Sequence, residues 1–210
     1  MKRTTETRSD RKHQDILQAA SAIFVAKGYE GTNMEEIAAK AGVSKQTVYK
    51  HFADKERLFA EIVLATTDQV EDVVTLVLKA FAESRDVTDA LQQLGRRFLS
   101  AVMQPELLKV RRLVIANADR MPQLGRSWYE NGFERVLEAL AASFARLTDQ
   151  GLMRVNEPYV AASHFVGILL WIPVNEAMFT GNDRPKSASE LDRIADAAAH
   201  AFLTAYAAKP

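Results

Sequence analysis

There is no cysteine in the 210 residues, which removes disulfides, thiol chemistry and cysteine-ligated zinc together. Long apolar runs are missing as well. The longest, Val166 to Val174, is nine residues and contains Gly167 and Pro173, against the roughly 20 that a membrane-spanning helix needs. No apolar segment follows the basic start, so no secretory signal and no membrane partner are expected, and the chain is read as cytoplasmic. The four histidines, His13, His51, His164 and His200, have no metal-chelating spacing, and there is neither a glycine-rich phosphate loop nor a pair of carboxylates in an apolar setting. No metal, no cofactor and no catalytic residue is therefore assigned. No alternating β pattern of useful length and no internal repeat appears, so the fold class is all-α.

What is present is an ordinary balance for one large or two modest globular domains, with 48% hydrophobic and 26% charged residues. The net charge is zero, yet residues 1–57 carry 11 Lys/Arg against 8 Asp/Glu, leaving the remainder acidic by three. A basic end on a slightly acidic body suits contact with DNA at that end.

Residues 33–55, NMEEIAAKAGVSKQTVYKHFADK, organise the rest. Asn33 followed by Glu36 is a capping-box pattern, opening a helix with Met34, Ile37, Ala38 and Ala41 on its apolar face. Gly42 ends it, Val43 plugs the turn, and Ser44 caps a second helix. That helix buries Val48 and Phe52 and turns Lys45, Gln46, Thr47, Tyr49, Lys50 and His51 outward. Two short helices around a glycine turn, with an exposed face of donors, cations and one aromatic ring, make a helix-turn-helix over 33–52 sized for the DNA major groove.

The run from Ile37 to Phe52, with Asp54-Lys55-Glu56 after it, resembles the signature of the TetR (tetracycline repressor-like) family; Gln46 stands where many members carry glycine. The resemblance is specific over about residues 10–70 and one of length and helical pattern beyond. It implies a DNA-binding domain over 10–70, a ligand-binding and dimerisation domain over 71–210, and about nine helices. It further implies a homodimer on a roughly palindromic operator, released by a small-molecule effector. Residues 1–9 would be a flexible basic arm. Phosphate contacts are expected from the backbone near Thr32 and Asn33 and from Tyr49, His51 and Lys55. Base-edge contacts are expected from Ser44, Lys45, Gln46, Thr47 and Lys50. A ligand-independent activator on the same fold and an all-α enzyme remain as alternatives.

The periodicity elsewhere predicts a first helix over about 10–27 and a continuous helix from Asp54 to Glu83, whose family counterpart transmits ligand occupancy to the DNA-reading helices. Helices then follow over 86–104, 105–120, 122–150 (with a bend at Gly132), 157–179 and from Ser187 or Ser189 to about 208. The segment His164–Phe179 is apolar nearly all round. One stripe, with His164, Ile168, Trp171 and Asn175, is placed against a pocket for an apolar or aromatic effector; Phe98, Asn117, Trp128 and Phe133 are added to it. Pro173 removes a backbone donor and predicts a bend. For all these residues the plainer reading, a core side chain satisfied within the fold, stands beside the pocket. The last helix presents Leu191, Ile194, Ala195, Ala198, Ala201, Phe202 and Ala205 on one side, read as a dimer seam that it shares with the helix carrying Trp171 in a four-helix interface, with intrachain packing as the alternative.

Overall fold

The computed structural model describes residues 8–67, 70–83, 86–181 and 184–208. The helices are α1 (Arg8–Lys27), α2 (Met34–Lys40), α3 (Lys45–His51), α4 (Lys55–Ala65), α5 (Val70–Glu83), α6 (Val87–Val102), α7 (Pro105–Ala116), α8 (Pro122–Tyr129), α9 (Arg135–Asp149), α10 (Pro158–Thr180) and α11 (Ala188–Tyr206). A π-helical turn, Glu130–Glu134, joins α8 to α9. All nine expected helices are there, two of them interrupted. The expected basic arm lies, up to residue 7, outside the described residues, while Arg8 and Ser9 already belong to α1.

The first interruption corrects the continuous helix expected over 54–83. Helix α4 stops at Ala65, and α5 begins at Val70. At the stop the Thr66 hydroxyl donates to the Val63 carbonyl at 2.6 Å, a local side-chain bond that competes with helix propagation. The second interruption falls at the expected bend, and Gly132 sits within its wider turn.

Two compact units result. The first comprises residues up to Thr66 together with Val110–Arg126; the second comprises 67–109 and 127–210. This differs from a single boundary near residue 70, because the end of α7 and the start of α8 belong with the first unit. In that unit Ile16, Ala20 and Phe24 of α1, Ile37 of α2, Val48 of α3 and Phe59 of α4 are fully enclosed. Phe24 stacks on Tyr29 at 5.9 Å and meets Phe59 at 5.0 Å. Leu17 and Val43, also expected in this core, are half-buried.

The second unit is built around Phe144 of α9, whose ring lies 5.1 Å from Phe202, 5.8 Å from Phe81 and 6.4 Å from Phe165. Burying such a ring is worth about 3–5 kcal/mol against truncation to alanine. Helix α6 approaches α11 closely at Gly95, where an added Cβ would stand 3.1 Å from that of Ala195. Beside that contact Arg96 bridges Asp192 at 2.9 Å and Asp196 at 2.8 Å, joining the same two helices. Helix α10 is one element through Pro173. Taken whole, it is long and apolar enough to cross a membrane by length and composition, which the nine-residue count had not suggested. Half of its apolar window is buried in the unit, as in the core helix of a soluble fold.

Candidate nucleic-acid interface

The α2–α3 pair is assembled by local chemistry that the sequence spells out. The Asn33 side chain accepts from the Glu36 N–H at 2.8 Å and opens α2. The return half of the expected capping box is replaced, because the Glu36 carboxylate takes the Lys27 ammonium at 2.6 Å, tying α2 to the end of α1. Gly42 carries φ +66°, and Val43 N–H reaches back to the Ala38 carbonyl at 3.0 Å. Ser44 then accepts from Thr47 N–H at 3.1 Å, so α3 starts at a fixed point. Val48, fully buried, and Phe52, 2% exposed, anchor its inner side.

The outer side follows from that anchoring. Lys45, Gln46, Tyr49 and Lys50 are exposed and Thr47 is half-buried, and Gln46, Thr47, Tyr49 and Lys50 line one surface recess. Five side chains with hydrogen-bond donors on one seven-residue helix have the chemistry that base-edge readout requires.

Two expected phosphate contacts, Thr32 and Lys55, turn out differently. Thr32 is 2% exposed; its hydroxyl donates to the Gly28 carbonyl at 2.7 Å and its N–H to Tyr29 at 3.3 Å. Both donors are spent inside the fold, so Thr32 positions Asn33 and offers nothing itself. Lys55 is drawn inward too. Its ammonium donates to the carbonyls of Tyr29 at 2.9 Å and Thr32 at 3.0 Å and lies 4.4 Å from the Tyr29 ring centroid. It is a tie holding the α1–α2 loop to the start of α4. His51 is half-buried, its ring 5.6 Å from that of His13. His13 stacks on Phe52 at 4.7 Å and bonds Glu61 at 2.6 Å, linking α1 to α4.

Sequence reasoning missed two partners of this surface. Glu35, in the first turn of α2, bonds the Lys45 ammonium. The pairing lowers the Glu35 pKa, through the Lys45 hydrogen bond first and its own backbone next, and raises that of Lys45. Arg120 pairs with Glu30 and stands 4.9 Å from the Tyr29 ring. Burial pushes the Tyr29 hydroxyl up, and Arg120 partly opposes this. Ten residues separate Glu35 from Lys45 and ninety separate Arg120 from Glu30, so neither pairing shows in a helical repeat.

The residues expected around an effector are not brought together. Trp171 is 67% exposed and His164 is exposed, its Nδ1 2.6 Å from the Tyr206 hydroxyl. Asn175 is half-buried and donates to the Trp171 carbonyl at 2.7 Å. That stripe of α10 therefore faces outward, and the opposite one, with Phe165 and Leu169 fully buried, makes the core. A helix apolar all round gives no signal to choose between them. Asn117 belongs to the first unit and donates to the Leu113 carbonyl of its own helix at 2.8 Å. Phe98 is core at 4% exposure, and Trp128 and Phe133 are half-buried, the latter stacked on Tyr129 at 6.1 Å. The expected seam on α11 is likewise inverted in part, since Ala195, Ala198 and Phe202 are buried within the unit.

Comparison with known proteins places this geometry. Residues 16–62 match the model for bacterial regulatory proteins of the tetR family, and residues 89–208 match the C-terminal domain of AefR-like transcriptional repressors. The chain belongs to the TetR family. A putative TetR-family regulator from Mesorhizobium loti MAFF303099 is 58% identical over 96% of this chain and 100% of its own, with a TM-score of 0.85. The flavonoid-responsive regulator FrrA is 26% identical over 95% and 99%, with a TM-score of 0.75. The transcriptional activator FasR of Mycolicibacterium smegmatis is 36% identical over 76 residues, and the chain spans only 35% of that protein's length. This TetR-family chain is an all-α, helix-turn-helix regulator of transcription.

Proposed function

We propose that this chain is a homodimeric repressor that binds a roughly palindromic operator and leaves it when a small apolar or aromatic molecule enters the second unit. The observation that carries the DNA half is the outward set Lys45, Gln46, Thr47, Tyr49 and Lys50 on a helix pinned by Ser44 and Val48. Lysine favours guanine O6 and N7, and glutamine favours adenine N6 and N7. Phosphate contacts come from Asn33 at the start of α2 and from Tyr49 and His51. Repression is favoured over activation by the match of residues 89–208 to a repressor's C-terminal domain, whereas the activator FasR is matched over a third of its length.

Dimerisation is supported by the outer face of α10, where Ile168, Trp171, Ile172 and Phe179 are all between 47% and 86% exposed. Large apolar side chains grouped on one helix face mark an interaction surface. The effector class follows from the interior of the second unit, where Ser143 is the one buried polar side chain among the described residues. FrrA, with its flavonoid response, supports an aromatic effector. Such a protein works in the cytoplasm.

Selection of binding sites from a random duplex pool by the full chain tests this reading. Two inverted half-sites are expected, with one or more guanine–cytosine pairs under Lys45 or Lys50. Addition of unsubstituted flavone, as a first aromatic probe, should release the selected duplex. Recovery of sequences without inverted symmetry would overturn the homodimer, and an unchanged pool would overturn operator recognition.

A further inference from the structure

We infer that Glu35 is a specificity-determining residue of the DNA face: it serves Lys45 as a built-in counterion, so that Lys45 responds to a base edge and not to the phosphates every sequence offers. Lys45 is the first residue of α3, and that helix has no acid in its first turn. A cation there meets the positive end of the helix dipole, an unfavourable placement. The compensating charge comes from the neighbouring helix. The Glu35 carboxylate accepts from the Lys45 ammonium, which also lies 5.8 Å from the Tyr49 ring centroid. Carboxylate, ammonium and ring thus lie together on the outward face, next to the recess lined by Gln46, Thr47, Tyr49 and Lys50.

The consequence for recognition is electrostatic. Non-specific affinity comes from lysines and arginines that neutralise phosphates and release condensed counterions. A lysine already neutralised by a carboxylate has little to gain by exchanging that anion for a phosphate oxygen. Guanine is different: its O6 and N7 together offer two acceptors within reach of one ammonium. Glu35 thereby lowers affinity for random DNA without lowering it equally at the proper base pair. A shallower salt dependence on random duplex goes with this. The inference rests on the proposed placement of Lys45 at a base edge.

The test uses the full-length protein, a random-sequence duplex and a salt titration from about 0.05 to about 0.2 M, with Glu35→Gln, Lys45→Met and the double substitution. The Lys45 and Glu35 side chains are 55% and 58% exposed, so the substitutions leave the core untouched. Glu35→Gln should steepen the slope of log K against log salt by about 0.9 per DNA-reading head, which over that range is about a threefold change per head. The increment should vanish when Lys45 is already methionine. An equal increment in both backgrounds would mean that Glu35 simply repels phosphates, and no increment in either would mean that the pair has no bearing on DNA; both overturn the inference. On a duplex selected from a random pool, Lys45→Met should relax preference at one base pair. If it does not, the placement of Lys45 is wrong, and the inference falls with it for that separate reason.

Discussion

Two lysines of the first unit look alike in the sequence and do opposite things. Lys45 stands on the outward face, whereas Lys55 turns in and caps two carbonyls of the loop between α1 and α2. A charged donor to a buried or half-buried carbonyl contributes about 1.5–3 kcal/mol, and its removal leaves two acceptors short. Lys55→Ala is therefore expected to shift the urea midpoint of the protein downward by an amount equivalent to about 2 kcal/mol. The salt slope of DNA binding should stay as in the parent protein, because no phosphate contact is lost. A normal midpoint with a slope smaller by about 0.9 would return Lys55 to the phosphate-binding role.

At the scale of elements, the turn chemistry was legible and the long-range pairing was not. Asn33, Gly42, Ser44 and Asp54 act where the sequence puts them, as two N-caps around a left-handed glycine and a third N-cap opening α4. Each is a local rule that needs only the next three residues. The break between α4 and α5 was missed because its apolar stripe runs on through Thr66, and nothing in a periodic pattern reveals a hydroxyl bonding backwards. The outward turn of Trp171 was missed for the opposite reason: α10 is apolar on every face, so the stripe carries no direction. Glycine offers a measurable contrast between the legible and the neutral positions. Gly42 holds φ +66° with open space around its Cβ position, so Gly42→Ala suffers from backbone strain alone, about 1–2 kcal/mol. Gly125 lies inside α8 with the same open space and without a positive φ. There alanine should raise stability by about 0.5–1 kcal/mol. Thermal melts of the two variants should move in opposite directions, and a parallel shift would refute the backbone argument.

At the scale of the whole molecule, the question is which apolar surface belongs to the dimer. The stripe of small residues on α11 suggested Ala198, yet Ala198 is 2% exposed inside its own unit. Arginine there would bury an unpaired charge, at a cost on the order of several kcal/mol, and the protein should lose structure before it loses its partner. Trp171 and Ile172, 67% and 69% exposed, are the opposite case. Replacing either by arginine adds charge to a surface that water already reaches in the single chain, so the helical content should be unchanged. If that surface is the seam, Trp171→Arg should sediment as a monomer. Operator affinity should then fall by about two to four orders of magnitude, since two half-sites no longer engage as one bivalent event. Binding to a single half-site should persist at its weak intrinsic level, because α3 is untouched. Sedimentation of Trp171→Arg and Ile172→Arg as undisturbed dimers would remove the outer face of α10 from the interface.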